Sequence, residues 1–346
     1  MKRSAFLRLM ALAPWGLRYA LAGDAGACAD PLGRGIAWLI SRQSPDGAWR
    51  SDSYGAFRDG RALTPLALRA LPLRSETEHA RKRVCEWLAG QGQWLFDEYP
   101  VHLASEILGS ARPCPELRSL AEIARGRLLS LQCPRTGGWS YALTAPPADG
   151  PLSPMHQANL AATTMAIEGL RAAGLQVDDA VIQRALPFVY ACQNQASGND
   201  AFDDGGFFEI PDDPARNKAG TAGTDRSGKV RYFSYASATA DGLRALRLCG
   251  EVGDAPRVAA AALWLKHFKW DAAGGKDSPA DLIYYTARSI ARTARICPEI
   301  AGVAAALPRL LAASQEADGS WRNKAGEMRE DCPEVATALA LEAICS

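Results

Sequence analysis

The 346-residue chain has no C-x-x-C pair, no excess of either charge and no apolar run near the roughly 20 residues that a bilayer-spanning helix needs. The first absence removes the usual zinc spacing. Nine cysteines stand at 28, 85, 114, 133, 192, 249, 297, 332 and 345. Their odd number and even spread in so long a chain argue against a disulfide framework, so they are expected to act mostly as small core hydrophobes. The charge balance, 39 basic against 38 acidic residues for a net +1, lacks the basic excess of a nucleic-acid binder. What the chain has is apolar mass: 48% of it is hydrophobic, enough for a full core in one large domain or two ordinary ones.

The first 28 residues form a separate question. Lys2, Arg3 and Arg8 precede a short apolar stretch, Leu9–Leu17, and Ala20-Leu21-Ala22 and Ala25-Gly26-Ala27 both have the small-x-small form of a cleavage site. The run RSAFLRLMALA at 3–13 resembles a twin-arginine export signal whose second arginine is missing. Residues 1–28 are thus expected to be an export leader, which would place the protein in the periplasm. The alternative is an N-terminal amphipathic helix on a cytoplasmic protein.

From residue 30 onward a unit recurs. Gln43, Gly47 and Trp49 follow a helical stretch, and Gln315, Gly319 and Trp321 repeat the offsets. Gln132 and Trp139 repeat them with one extra residue, and Gln193 is followed after a long insertion by Gly205, Gly206 and Phe207. Helical spacing of apolar residues dominates between these marks. Six helical hairpins result. The first helices end near Gln43, Gln91, Gln132, Gln193, His267 and Gln315, and the second begin near Pro65, Pro100, Pro154, Tyr235, Pro279 and Pro333. Four second helices share a threonine followed by paired small and aliphatic residues, as in Thr64-Ala67-Leu68-Ala70-Leu71 and in the series from Thr163, Thr239 and Thr337. With few large polar residues, they should be the buried set, while first helices such as EHARKR at 78–83 face solvent. One unit cannot bury its apolar face alone. The fold expected for 30–346 is therefore all-α: a single (α/α)6 toroid with an inner and an outer ring, an open solenoid being the alternative.

The Gln…Gly-x-Trp repeat resembles the QW motif of squalene and oxidosqualene cyclases, and Gly205-Gly206-Phe207 resembles the glycine-aromatic turn of protein prenyltransferase β subunits. Both belong to the α/α-toroid superfamily, and the likeness covers nearly all of 30–346. It implies that Gln43, Trp49, Gln132, Trp139, Gln193, Phe207, Gln315 and Trp321 are structural, the glutamine stacking on the aromatic ring. It also implies a cavity for an isoprenoid or similar apolar ligand, with terpenoid cyclase- or transferase-type chemistry.

The superfamily's catalytic parts are missing. No D-x-D-D acid motif occurs; Val177-Asp178-Asp179-Ala180 opens an outer helix, where aspartate is an ordinary cap, and Asp200-Ala201-Phe202-Asp203-Asp204 has one residue too many. The zinc ligands of prenyltransferases are absent too. Asp241-Gly242-Leu243 lacks the cysteine, and none of His79, His102, His156 and His267 takes the family histidine's place. No metal or cofactor is expected, and one ring lacks the second domain of a triterpene cyclase.

Inner helices running parallel bring their N-termini to one mouth, where partial positive charge suits an anionic head. The candidates placed there are Asp203, Asp204 and Asp281 as catalytic acids. His102, His156, Tyr232, Tyr235, Asp241, Tyr284 and Tyr285 are placed along the cavity wall, where aromatic faces would steady a carbocation. The connector at 194–230 is long enough to be a lid or a surface decoration. Two other functions fit the same sequence: a non-catalytic binding toroid and a carbohydrate-active (α/α)6 barrel using paired carboxylates. The expected partner is an apolar or isoprenoid small molecule, not nucleic acid. Peripheral membrane contact is compatible with the reading, and oligomeric state is left open.

Overall fold

The computed structural model describes residues 30–195, 201–270 and 282–345. The leader-like stretch, Asp200, Pro279 and Asp281 lie outside the described residues. Helices α1 (Pro31–Ser41), α3 (Ser75–Gln91), α5 (Arg118–Leu131), α7 (Ala180–Ala191) and α9 (Pro256–His267) are the outer members of five hairpins. The sixth is split into α11 (Ala301–Ala304) and α12 (Leu307–Ser314). Pro308 explains the split: its ring would clash with the carbonyl four residues back, that of Ala304, where α11 stops.

The inner helices are α2 (Thr64–Ala70), α4 (Pro100–Ser110), α6 (Leu160–Ala172), α8 (Ala236–Leu248), α10 (Tyr284–Ala294) and α13 (Pro333–Ile344). Each packs against the next in that order, and α13 returns to α2, so the ring is closed and the solenoid alternative falls away. Pro154 does not open α6. It begins a 3-10 turn, Pro154–His156, and the helix starts at Leu160 behind Asn159, whose side chain accepts the Ala162 N–H.

The recurring motif is a hydrogen-bonded clasp. Gln43 Nε2 donates to the Gly47 carbonyl at 2.9 Å and to Ala80 on the next outer helix at 3.0 Å. Gln132 does the same to Gly137 and Val181, and Gln193 to Gly205 and Arg257. Gln315 bonds Gly319 and, across the ring's closure, Pro31 at 2.9 Å. Trp49, Trp139 and Trp321 each donate their indole N–H at 2.7 Å to a carbonyl in the last turn of their own outer helix, one of the acceptors a helix end leaves unpaired. The recurring threonine of the inner helices has its reason here as well. The backbone N–H of each clasp aromatic donates to the hydroxyl of Thr64, Thr163, Thr239 or Thr337 at 2.9–3.0 Å. What joins glutamine and aromatic is thus a set of hydrogen bonds through the turn. The turn glycine has φ near +100° at Gly47 and +96° at Gly319 and lies against the backbone of the neighbouring outer helix, which leaves no room for a side chain.

The inner helices depart from expectation in one respect: they carry buried charge. Arg69, Arg244, Arg288 and Arg292 meet Glu106, Glu168, Asp241 and Glu342, four cations against four anions, with all six inner helices contributing. Neutral overall and multiply paired, the network escapes the large cost of isolated buried ions. Burial pushes Glu168 and Glu342 upward, but the surrounding guanidinium groups outweigh it; they hold Glu168 at about 2 and Glu342 well below the usual carboxylate range.

Candidate active site

The N-terminal halves of α2, α4, α6, α10 and α13 line a chamber of about 830 Å³. Leu63 and Leu66 of the α2 end, Met165 of α6, and Val335 and Leu339 of α13 give it an apolar wall. His102 of α4 and Tyr285 of α10 join them, and at its inner end the chamber stops on Arg288, a member of the ion network. This size falls within the range typical of ligand pockets.

The long connector supplies another wall. Within it, β1 (Thr221–Thr224) and β2 (Val230–Tyr232) form an antiparallel pair, and buried Asn217 gathers the segment before them. Its Oδ1 accepts the N–H groups of Glu209 and Ile210, and its Nδ2 donates to the carbonyls of Ile210 and Asp213. That brace presents Glu209, Ile210, Ala215, Arg216 and Lys218 to the chamber. Gly326–Arg329 line it as well and meet the connector where the Lys218 ammonium lies 3.8 Å from the Met328 sulfur. Among the described residues, four non-glycine residues have positive φ, and three of them, Tyr99, Met328 and Arg329, lie on this chamber's lining. Strained backbone of that kind concentrates where a binding surface over-determines it.

Glu209 is the carboxylate that the connector carries into the chamber wall. It is only 8% exposed. Its Oε2 accepts the Tyr235 hydroxyl at 3.1 Å, and its Oε1 accepts the Ala161 N–H at the start of α6 at 3.3 Å. Burial pushes its pKa above the ordinary glutamate value, against the opposing influence of Lys218. His102 is driven the other way: burial lowers it, which favours the neutral imidazole, and its Nδ1 lies 3.4 Å from the Met165 sulfur. Tyr285 donates to Asp241 Oδ2 at 2.8 Å, and Asp241 accepts from Arg244 at 2.8 Å, so this chamber hydroxyl is tied into the ion network.

Among the residues singled out from sequence, His102 and Tyr285 line the chamber, and Tyr235 and Asp241 stand directly behind lining groups. Asp204 belongs to a clasp turn. It accepts from the Gly206 N–H, the Ser234 hydroxyl and, at 3.2 Å, the Trp264 indole N–H. Asp318 makes the equivalent bonds to the Ser320 N–H and Trp38 in the sixth repeat, and Asp46 bonds the Ala48 N–H in the first. Asp203 faces Arg231 at 3.5 Å. Tyr232 is buried against Phe208, Tyr284 donates to the Arg322 carbonyl, and His156 bonds Ser153 and Thr144. None of these five residues is on the chamber lining. Asp281 lies outside the described residues. Sequence reasoning passed over Glu209 as one loop acid among several. The signal available was its setting, Phe207-Phe208-Glu209-Ile210, a lone acid inside an apolar segment.

Among the described residues, no group of three or more histidine, cysteine, aspartate or glutamate side chains is placed to hold a metal ion, and no helix is long and apolar enough to cross a membrane.

No family model and no curated protein matches the chain. Solved structures do. The type II terpene cyclase MstE from Scytonema, in complex with geranylgeranyl dihydroxybenzoate, superimposes over 91% of this chain and 97% of its own, with 14% identity and a TM-score of 0.57. A protein from Actinoplanes matches over 91% and 98%, with 17% identity and a TM-score of 0.56. The GH76A α-1,6-mannanase of Salegentibacter matches over 91% and 99%, with 9% identity and a TM-score of 0.60. The fold built above from clasps and inner helices is therefore the α/α toroid seen in a type II terpene cyclase and in a glycoside hydrolase.

Proposed function

We propose that the chamber takes the isoprenoid chain of an amphiphilic substrate and that the protein acts on it as a terpenoid cyclase- or transferase-type enzyme. The observation that carries this reading is the chamber: apolar on its α2 and α13 walls, bounded by Arg288, and lined also by the polar groups Lys218, Arg329, Glu327 and Arg216, the last paired with Asp213. An apolar tail gains from burial against Leu63, Leu66, Val335 and Leu339. A polar or anionic head stays at the lip, where the inner-helix N-termini, Lys218 and Arg329 favour it. The MstE complex with a geranylgeranyl compound supports a ligand of this kind.

The carbohydrate reading has less behind it. The mannanase neighbour is described as inactive when two adjacent aspartates are changed to asparagine. Here Asp203-Asp204 is committed to Arg231 and a clasp turn, Asp179 bonds the Gln176 N–H, and in Asp212-Asp213 the second is paired with Arg216 at 2.6 Å, all of them off the chamber lining.

The test is binding and conversion of geranylgeranyl dihydroxybenzoate and geranylgeranyl diphosphate, followed by calorimetry and mass spectrometry. Leu339→Trp places an indole in the chamber and should weaken binding at least tenfold while leaving the fold intact. Equal binding by the variant, or none by the native chain, would remove the proposal.

A further inference from the structure

We propose that Glu209 is the proton donor of this chamber, so that the acid which begins the chemistry sits on the long connector and not on an inner helix. The assignment rests on the isoprenoid reading above, and its test is built so that the two can fail separately.

The reactive groups of an isoprenoid chain are trisubstituted double bonds, which need a strong acid held in a water-poor place. A solvated carboxylate is ionised near neutrality and cannot serve. An acid that does serve must face the chamber, be shielded from water, and be held by groups that fix its direction without forcing it to ionise. Among the described residues, two that bear a carboxyl line the chamber, Glu209 and Glu327. Glu327 lies in the exposed Gly326–Arg329 rim, next to strained Met328 and Arg329. Glu209 alone is buried, braced from beneath by Asn217 and from the side by Tyr235.

The groups that face it come from several elements. Tyr235 and Asp241 approach from α8, the Ala161 N–H from α6, Tyr285 from α10, Tyr141 and Cys192 from the segments before α6 and after α7, and Lys218 from the connector itself. Lys218 and the two hydrogen-bond donors favour the carboxylate. Burial and Asp241 favour the acid, and burial is the largest influence. Burial thus shifts the Glu209 carboxyl upward, and the side chain stands on the chamber lining with its Oε2 held by the Tyr235 hydroxyl.

The step balances without a further reagent. The Glu209 O–H bond breaks and its proton adds to the less substituted alkene carbon. The π pair becomes the new C–H bond, and a tertiary cation is left on the neighbouring carbon. Further alkenes of the same chain attack that cation and close rings, each donating its π pair. Transfer of a proton from a carbon beside the last cation to a water molecule leaves that C–H pair as a new double bond. The Glu209 carboxylate is reprotonated from water at the lip. The product is an isomer of the substrate.

The experiment uses the full-length chain with geranylgeranyl dihydroxybenzoate and geranylgeranyl diphosphate. Native protein in D₂O should yield cyclised product with one deuterium on carbon. Glu209→Gln, nearly identical in size, should bind within threefold of native but turn over about 10²–10⁴-fold more slowly. Asp203→Asn, outside the chamber, should turn over within threefold of native. Tyr235→Phe removes a donor to the carboxylate and so raises the Glu209 pKa. Activity, which needs the protonated form and falls as pH rises, should then persist to higher pH than in native protein. Glu209→Gln that keeps more than a tenth of native turnover overturns the assignment. So does native protein that binds these compounds without converting them, although the binding chamber would stand. Failure of native protein to bind either compound overturns the isoprenoid reading and the assignment with it.

Discussion

Replacing Arg288 by methionine tests the buried ion network at its centre. Arg288 is 2% exposed and donates to both Glu106 and Glu342. Methionine fills similar space without charge, so the loss is electrostatic. Glu106 would keep Arg69 at 3.4 Å and Arg292 at 3.8 Å, and Glu342 would keep the same two arginines at 3.6 and 3.5 Å. Removing one partner from a buried network costs about 3–5 kcal/mol. A chain of 346 residues unfolds with an entropy near 0.7 kcal/mol/K, at about 2.1 cal/mol/K per residue, so Tm should fall by about 4–7 °C at pH 7.

The pH dependence has a definite sign. Glu168, Glu106 and Glu342 have folded-state pKa values below the ordinary 4.5, with Glu168 at about 2. Their contribution is complete above pH 4.5 and is lost as pH falls toward 2. Arg288→Met weakens that depression, so the variant has less to lose, and the gap in Tm should narrow between pH 7 and pH 3.5. Adding Glu342→Gln should restore part of the loss at pH 7, with a coupling of about 1 kcal/mol or more. Calorimetric melts of the native, single and double variants decide it. A single variant within 1 °C of native at pH 7, or a gap that does not change with pH, would refute the electrostatic account.

Two further perturbations address the clasps. A Cβ at Gly35 would lie 2.5 Å from Trp321 Cζ3 and 2.9 Å from Leu341 Cδ2, so Gly35→Ala should overpack the ring's closure, cost about 1–3 kcal/mol and lower Tm by about 1–4 °C; an unchanged Tm would show that Trp321 is not held there. Asp204→Ala should cost about 1 kcal/mol of stability, because the Gly206 N–H and Trp264 lose their acceptor, and should leave chamber chemistry unchanged; a selective collapse of turnover at unchanged Tm would return Asp204 to the reaction.

The fold was legible because its determinants are local and repeated. Gln43, Gly47 and Trp49 hold one helix end to one turn, and the same solution recurs wherever the geometry recurs. The threonine of the inner helices was visible as a pattern, but its partner, the clasp N–H, lies 15 to 32 residues away and emerged only in three dimensions. The ion network was hidden for a related reason. Read one helix at a time, Glu106 or Arg292 resembles a solvent-facing charge; burial becomes tolerable only when six helices bring opposite charges together. Asp204 attracted a catalytic reading by its acidity, yet the Asp-Gly step it shares with Asp46 and Asp318 already marked it as a turn residue. Glu209 was the reverse case, an ordinary loop acid in sequence whose burial depends on Asn217 folding the connector inward.

Photoaffinity labelling with a geranylgeranyl chain carrying a terminal diazirine tests the chamber most directly. The account predicts labelled peptides from α2, α6 and α13, at or beside Leu66, Met165 and Leu339, with labelling suppressed by Leu339→Trp. Label confined to the outer faces of α3 and α5, or unchanged by that substitution, would contradict it.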